Sequence, residues 1–459
     1  MRKLRRRSTM KGYVKTPKWI VDHMVEKLFA DRIPSSNDAV LDPGCGPGDF
    51  IEGIISWCQK KNVSLPQITG VELDPRHIPE ARKKFLPFPS INIEQDDFLL
   101  SKNELYNYII CNPPYVPITS LSNEEKTLYK PLFETAKGRF DLYLLFFEKA
   151  IKSLRQEGRL VFITPEKFIY VQTAAPLRKI LATKKVVEIE FMDESIFGGF
   201  VTYPTITTVD NVNSHKETKI HLRDGNKKNT FLPLDGSSWL PKINGVDGFS
   251  NQLKLQDICL RISCGVATGA DSVFIKRKEL IDPSLEQFAY PTISGKELDS
   301  RRTILQSSFM ILIPYALNGT LMNLEKIESL VKYLSLPHNR KRLEKRTCVS
   351  RKPWYAFHEN PPLNDILRPK ILCKDIALEP HFWVDQKGVI VPRHSVYYIV
   401  PKDPSRLNDI VEYLGTNFVK EWLRANCQRA SNDFIRLQSS VLKELPIPEK
   451  LYLKENNIV

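Results

Sequence analysis

The 459-residue chain has little that would tie it to a membrane, a metal or an oxidising compartment. No apolar run approaches the ~20 residues needed to cross a bilayer. The basic stretch from Met1 to Arg7 is not followed by the apolar core of a secretory signal. The eight cysteines, at 45, 58, 111, 259, 264, 348, 373 and 427, form no Cys-x-x-Cys pair, and none stands beside histidines at zinc spacing. Cys259 and Cys264 are the nearest pair, and they too lack that spacing. Reduced thiols, no metal site and a cytoplasmic protein away from membranes are therefore expected. There is no internal repeat and no low-complexity segment beyond the basic N-terminus. What is present is ample apolar material, 42% of residues, enough to build buried cores.

The net charge of +14 is unevenly placed. Residues 1–210 carry 30 basic and 26 acidic side chains, and five of the basic ones are Arg2, Lys3, Arg5, Arg6 and Arg7. The rest of that half is slightly acidic. Residues 211–459 carry 37 and 27. A basic half joined to a near-neutral half suits a polyanion-binding module attached to something else. A solvated basic surface fits the charge alone equally well.

From residue 39 to about 210, short β-rich runs alternate with helical patterns. Strands are expected at 39–41, 67–71, 91–93, 108–111, 159–163, 186–191 and 202–209, and helices at 49–59, 76–85 and 141–154. This βαβα rhythm predicts an α/β fold, a mostly parallel Rossmann-like sheet with helices on both faces. Near Asn211 the chain turns polar and rich in Asn, Lys and Gly. We read 1–212 as a catalytic domain, 213–245 as a boundary or linker region, and 246–459 as a mixed α+β domain with helical segments near 323–334 and 405–425.

Leu41-Asp42-Pro43-Gly44-Cys45-Gly46-Pro47-Gly48-Asp49-Phe50 follows a strand and opens a helix. Glycines at 44, 46 and 48 allow a sharp turn and close approach to a ligand, and the helix start offers free N–H groups. Glu72, in Val71-Glu72-Leu73-Asp74, ends the next strand, where a carboxylate can accept both hydroxyls of a ribose. The spacing is neither that of a dinucleotide fingerprint nor that of a nucleotide P-loop. Asp42 would repel a phosphate but suits a cationic ligand, such as the ammonium or sulfonium of S-adenosylmethionine. Asp97-Phe98, past the third strand, could accept from an adenine amino group and stack on its ring; a surface Asp beside a core Phe fits as well.

Asn112-Pro113-Pro114-Tyr115 directly follows a strand. Two prolines there end the sheet ladder and stiffen the loop. An aromatic amine is a poor nucleophile because its lone pair is delocalised into the ring. The Asn112 side-chain oxygen and the Pro113 carbonyl could each accept one amino hydrogen, leaving the lone pair aimed at a methyl group, while Tyr115 holds the ring. Positioning for in-line displacement then does the rest, with no base needed before attack.

Together these segments resemble the gamma-class N6-adenine DNA methyltransferases of type II restriction–modification systems, the TaqI-like family. Thr16-Pro17-Lys18-Trp19 looks like that family's cofactor motif ahead of the glycine loop; Asp42 to Phe50, Glu72 with Leu73, Asp97-Phe98 and Asn112 to Tyr115 match its later motifs in order. Gly138 to Tyr143 resembles the segment bordering the cofactor pocket. The resemblance implies S-adenosylmethionine bound by Thr16, Pro17, Trp19, Asp42, Pro43, Gly44, Cys45, Gly46, Gly48, Phe50, Glu72, Leu73, Asp97, Phe98 and Asn112. It also implies an aromatic near the last strands that stacks on a flipped adenine: Phe197, or Phe200 as the alternative.

Farther on, Gly265 to Asp271, Arg351 to Tyr355 and Leu445 to Pro448 resemble the family's target-recognition domain. Arg340, Lys341, Arg342, Lys345, Arg346, Arg351 and Lys352, followed by Trp354, combine charge with aromatics as DNA contacts do. The expected partners are double-stranded DNA and a separate cognate restriction endonuclease, and the chain is expected to be a monomer. The tetrad alone also suits enzymes acting on RNA adenine or guanine, or on a protein glutamine. Cytosine N4 enzymes more often carry Ser at the position of Asn112. A non-catalytic DNA-binding specificity protein would have no use for either motif.

Overall fold

The computed structural model describes residues 14–197, 203–245, 253–298, 305, 307–430 and 434–451. The Arg2–Arg7 run and Phe200 lie outside these. The chain divides into two compact units, Met1–Gly245 and Val246–Val459.

The first unit begins with α1, Lys18–Phe29, whose residues Ile20, Val21, Met24, Val25 and Leu28 recur at helical spacing and form one buried face. Strand β1, Ala39–Asp42, leads through the glycine loop into α2, Asp49–Lys61. Asp49 and Glu52 sit in its first turn, where the helix dipole favours negative charge. Asn62 closes the helix in the left-handed conformation, its N–H donating to the Cys58 and Gln59 carbonyls. The pattern repeats through β2, Gln67–Glu72, α3, Ile78–Phe85, and β3, Ile91–Gln95. Next come β4, Tyr106–Cys111, α4, Asn123–Tyr129, and α5, Leu142–Lys152. The unit continues with β5, Leu154–Pro165, α6, Ala175–Ala182, β6, Lys185–Phe191, and β7, Pro204–Asp210.

These strands form one sheet in the order β3-β2-β1-β4-β5-β7-β6, extended by β8, Thr218–His221, and β9, Lys227–Thr230. Strands β1 to β5 run parallel, and β7 is antiparallel to both of its neighbours. Because five strands share one direction, Asp42, Glu72, Gln95 and Cys111 all end at the same rim of the sheet. The strand order reverses between β1 and β4, the place where open α/β sheets leave a crevice. The central strands are apolar on both faces, as Ile109, Ile110, Leu160, Val161 and Phe162 are fully buried.

The stretch 213–245, expected as a linker, is part of this unit. Strand β8 pairs in parallel with β6, β9 returns antiparallel to β8, and Trp239 is fully buried against Phe168. Its polar composition belongs to an edge hairpin with one solvated face, which reads like a linker in sequence.

The second unit is mixed α+β. Strands Cys259–Cys264, Val396–Pro401, Lys370–Lys374 and Phe382–Asp385 make one antiparallel sheet. Ile275–Arg277, Phe309–Leu312, Ala289–Ile293 and Val391–Pro392 make a second. Phe274 meets Phe357 edge-on in its core, and Tyr315 lies tilted against Phe357. The helical segment expected at 405–425 is two helices, Leu407–Leu414 and Asn417–Asn426. Thr416 divides them, its hydroxyl accepting the Val419 N–H as an N-cap.

Candidate active site

The loop after β1 is held tightly. The Cys45 N–H donates to the Val71 carbonyl (3.1 Å) and the Gly48 N–H to the Cys45 carbonyl (2.8 Å). Gly48 has φ 92°, and a Cβ there would run into the Phe85 ring, so both backbone and space require glycine. Glu72 at the end of β2 ties the rim together: Oε2 accepts the Gly46 N–H (2.8 Å) and Oε1 the Asp74 N–H (2.6 Å).

A cavity opens at this rim. Of the residues expected around a cofactor, Thr16, Pro43, Gly44, Cys45, Phe50, Glu72, Leu73, Asp97, Phe98 and Asn112 line it. Pro17, Trp19, Asp42, Gly46 and Gly48 do not. Trp19 is 56% exposed on the outer side of α1. Pro17 acts on the backbone, its carbonyl accepting the N–H groups of Ile20 and Val21 as α1 starts. Gly46 and Gly48 shape the loop. Asp42, expected to meet a cationic ligand, is fully buried beneath it, and neither carboxylate oxygen has a hydrogen-bond partner among the described residues. Desolvation raises its pKa well above the ordinary value, and the nearby Gly44 amide offsets only part.

Several lining residues were not foreseen. Leu121, Glu125 and Tyr129 come from α4 and the turn before it, and Phe146 from α5. The four-residue spacing of Leu121, Glu125 and Tyr129 is visible in the sequence, but nothing there shows that this segment faces the rim. Tyr129 donates its hydroxyl to Asp97 Oδ2 (2.7 Å), while Asp97 Oδ1 accepts the Leu99 N–H (2.9 Å). Burial raises the pKa of Asp97, and these two bonds counter it in part. Phe98 is nearly buried, with its ring centroid 5.4 Å from that of Phe146.

Asn112 follows β4 and lines the same cavity as the glycine loop, with Pro114 beside it. Its Nδ2 donates to the Val14 carbonyl and to Thr16 Oγ1, both at 3.1 Å. With Nδ2 fixed by two acceptors, Oδ1 must point the other way. It is buried and has no hydrogen-bond partner among the described residues. An unpaired buried acceptor costs about 1–3 kcal/mol, which an incoming N–H would recover. Pro113 is buried. Tyr115 is partly buried and donates its hydroxyl to the Ile163 carbonyl on β5 (3.1 Å). Phe197 closes a short 3-10 turn, Glu194–Phe197, with its ring 6.4 Å from Tyr115 and nearly perpendicular to it.

In the second unit the basic residues divide into two kinds. Lys341, Arg342, Lys345 and Arg351 are exposed. Arg340 pairs with Glu344 (2.6 Å) and lies 3.7 Å over the Trp354 ring. Lys352 reaches the His358 carbonyl and Asn360 Oδ1, both at 3.0 Å. Arg346 is turned inward: Nη1 donates to the Thr268 carbonyl (2.8 Å), Nη2 to that of Trp354 (2.6 Å) and Nε to that of Leu343 (3.0 Å). Its guanidinium holds the Gly265–Asp271 turn against the basic segment, a structural post that charge counting does not reveal. Among the described residues no helix is long and apolar enough to cross a membrane, and no group of three His, Cys, Asp or Glu could hold a metal ion.

A parallel sheet with this strand order, a glycine loop after β1, an acid ending β2 and Asn-Pro-Pro-Tyr after β4 define a Rossmann-like methyltransferase unit, followed here by a second domain. Residues 58–197 match the family model described as Eco57I restriction-modification methylase, and residues 290–447 match the TaqI-like C-terminal specificity domain. The type II methyltransferase M.PaeR7I of Pseudomonas aeruginosa is 25% identical over 391 residues, covering 78% of this chain and 67% of that protein. M.BstVI of Geobacillus stearothermophilus is 23% identical, covering 96% and 90%. Among solved structures, the type IIL restriction–modification enzyme MmeI in complex with DNA shares the fold, with TM-score 0.62 at 15% identity, covering 93% of this chain and 65% of that one. In both of its units the chain is similar to type II restriction–modification methylases of the TaqI-like family.

Proposed function

We propose that the chain, a site-specific DNA methyltransferase, methylates N6 of adenine in double-stranded DNA, on a base turned out of the helix. The observation that carries this reading is Asn112 Oδ1, a buried acceptor with no partner among the described residues, beside the cavity lined by the glycine loop, Glu72 and Asp97. An exocyclic amino group offers the N–H that this oxygen lacks. The Pro113 carbonyl would take the second hydrogen and Tyr115, with Phe197, would hold the ring.

The cavity suits S-adenosylmethionine. Glu72 would accept the ribose hydroxyls with the lone pairs left by its two backbone bonds. Asp97 and Phe98 would take the adenine ring, and Thr16, Gly44 and Phe50 would line the remainder. When bound, this cofactor supplies an electrophilic methyl group on a sulfonium that leaves as a neutral thioether. The protein needs no base before attack, because the proton departs after transfer.

The exposed Lys341, Arg342, Lys345 and Arg351 would neutralise phosphates, with the Arg340–Trp354 stack beside them. A cytoplasmic monomer that protects host DNA from a separate endonuclease fits this arrangement. The test is to incubate the protein with cofactor tritiated on the methyl group and with plasmid DNA, then digest to nucleosides. Label in N6-methyldeoxyadenosine supports the reading. Label in cytosine, or transfer only to RNA or to a protein glutamine, overturns it.

A further inference from the structure

The hairpin β8–β9 sends one side chain back to the rim of the sheet. Strand β8 runs parallel to β6 with His221 opposite Glu190, so Arg223, two residues on, comes level with Met192. The Arg223 Nε donates to the Met192 carbonyl (2.8 Å) and Nη2 donates to Glu166 Oε2 (2.6 Å). The guanidinium lies 5.3 Å from the ring centroids of both Phe191 and Tyr203. Glu166 is only 4% exposed, and its own N–H donates to the Tyr203 carbonyl (2.7 Å). Met192 leaves β6 and Tyr203 enters β7, so Arg223 on the first and the backbone N–H of Glu166 on the second, joined by the Glu166 carboxylate, hold both strands of a neck.

The neck leads to the Glu194–Phe197 turn. Phe197 meets Tyr115 edge-on, and Tyr115 is anchored on β5, three residues before Glu166 begins, through the Ile163 carbonyl. The sheet does not need this bridge: the Met192 N–H already closes the ladder on the Pro204 carbonyl (2.9 Å). Charge-assisted bonds at a half-buried site are directional and short-ranged, and a planar guanidinium can serve a carbonyl and a carboxylate at once where an ammonium cannot.

We propose that Arg223 is a positioning residue for the target base. By clamping Met192 to Glu166 it fixes the turn that carries Phe197 against Tyr115. The role rests on the function proposed above, whereas the clamp itself does not.

Two measurements separate them. In the free protein, hydrogen exchange of the amides from Met192 to Phe197 is compared between wild type, Arg223→Met, Arg223→Lys and Glu166→Gln. Arg223→Met speeds it about tenfold, with the glycine loop and the Asn112 loop unchanged, and the two conservative variants fall between. Single-turnover methylation of plasmid DNA by Arg223→Met slows about tenfold, while the cofactor affinity stays within about twofold. Exchange at the wild-type rate in Arg223→Met and Glu166→Gln overturns the clamp. Faster exchange with an unchanged methylation rate overturns the positioning role. Wild-type protein that leaves no label in DNA adenine overturns the proposed function, and the exchange result still decides the clamp. If Arg223→Met fails to fold, Arg223→Lys and Glu166→Gln carry the same comparison.

Discussion

Thr16→Val isolates how the Asn112 amide is oriented. The amide is symmetrical in shape but not in hydrogen bonding, since turning it over exchanges Oδ1 and Nδ2. Two acceptors hold Nδ2, the Val14 carbonyl and Thr16 Oγ1, each at 3.1 Å. Valine keeps the branched shape of Thr16, which is 5% exposed, and removes one of the two. A neutral hydrogen bond contributes about 1 kcal/mol net, so the rate of transfer should fall about fivefold. Asn112→Ala removes the acceptor itself and should cost about 3 kcal/mol, a rate loss of a hundredfold or more, by analogy with the loss of one oriented group around a transition state. The assay is single-turnover transfer of tritiated methyl to plasmid DNA at saturating cofactor, alongside cofactor titration by calorimetry. Thr16 also lines the cavity proposed for the cofactor, and a role confined to cofactor contact gives a different result. In that case Thr16→Val would weaken cofactor binding and leave the saturated rate intact. That outcome, or no change in either quantity, would refute the role of Thr16 as an anchor of the amide.

Other consequences can be measured independently. Gly48→Ala forces a Cβ into the Phe85 ring at a left-handed φ; it should cost about 2 kcal/mol in urea unfolding and weaken cofactor binding, and wild-type stability would contradict the strained turn. Arg346→Ala should destabilise the protein by about 3 kcal/mol, because three carbonyls lose a charged donor, whereas the double variant Lys341→Ala/Arg342→Ala should leave stability unchanged and lower the salt slope of DNA binding by about 2. Lys27 pairs with Glu188 (2.5 Å) and Glu190 (3.0 Å), so Lys27→Met should cost about 3 kcal/mol near neutral pH. Burial alone would raise the pKa of Glu190, but His23 and Lys27 more than reverse this and bring it to about 2, below its ordinary 4.5. A depressed carboxylate stabilises the fold fully above its unfolded pKa and loses that contribution as pH falls through the folded one. The penalty of Lys27→Met should therefore shrink between pH 4.5 and 2, and a penalty independent of pH would contradict the pairing.

The strands up to residue 210 and the helices α2, α3 and α5 were legible because burial on both faces of a parallel sheet writes apolar runs between helical periods, whereas α1, α4 and α6 were not read. Glu72, Asp97 and Asn112 were legible for a related reason: each stands where a strand ends, and parallel strands end on one rim. Local pattern could not show which solvated helix turns inward. Leu121, Glu125 and Tyr129 carry no motif in the sequence, and only the fold brings them to the cavity. The β8–β9 hairpin read as a linker because its outer face is polar, and Arg223 was hidden with it. Arg346 and Lys345 are neighbours with the same charge, yet one is bound to three carbonyls and the other is exposed. Trp19 shows the opposite limit: its motif is placed at the start of α1, but its side chain faces out.

The most direct test is to sequence, with base-modification detection, plasmid DNA from methylation-deficient cells expressing either the wild-type chain or Asn112→Ala. N6-methyladenine confined to one short sequence in the first sample, and absent from the second, is the predicted result. Methylation on cytosine N4, modification scattered without sequence preference, or equal modification by the Asn112→Ala variant would contradict it.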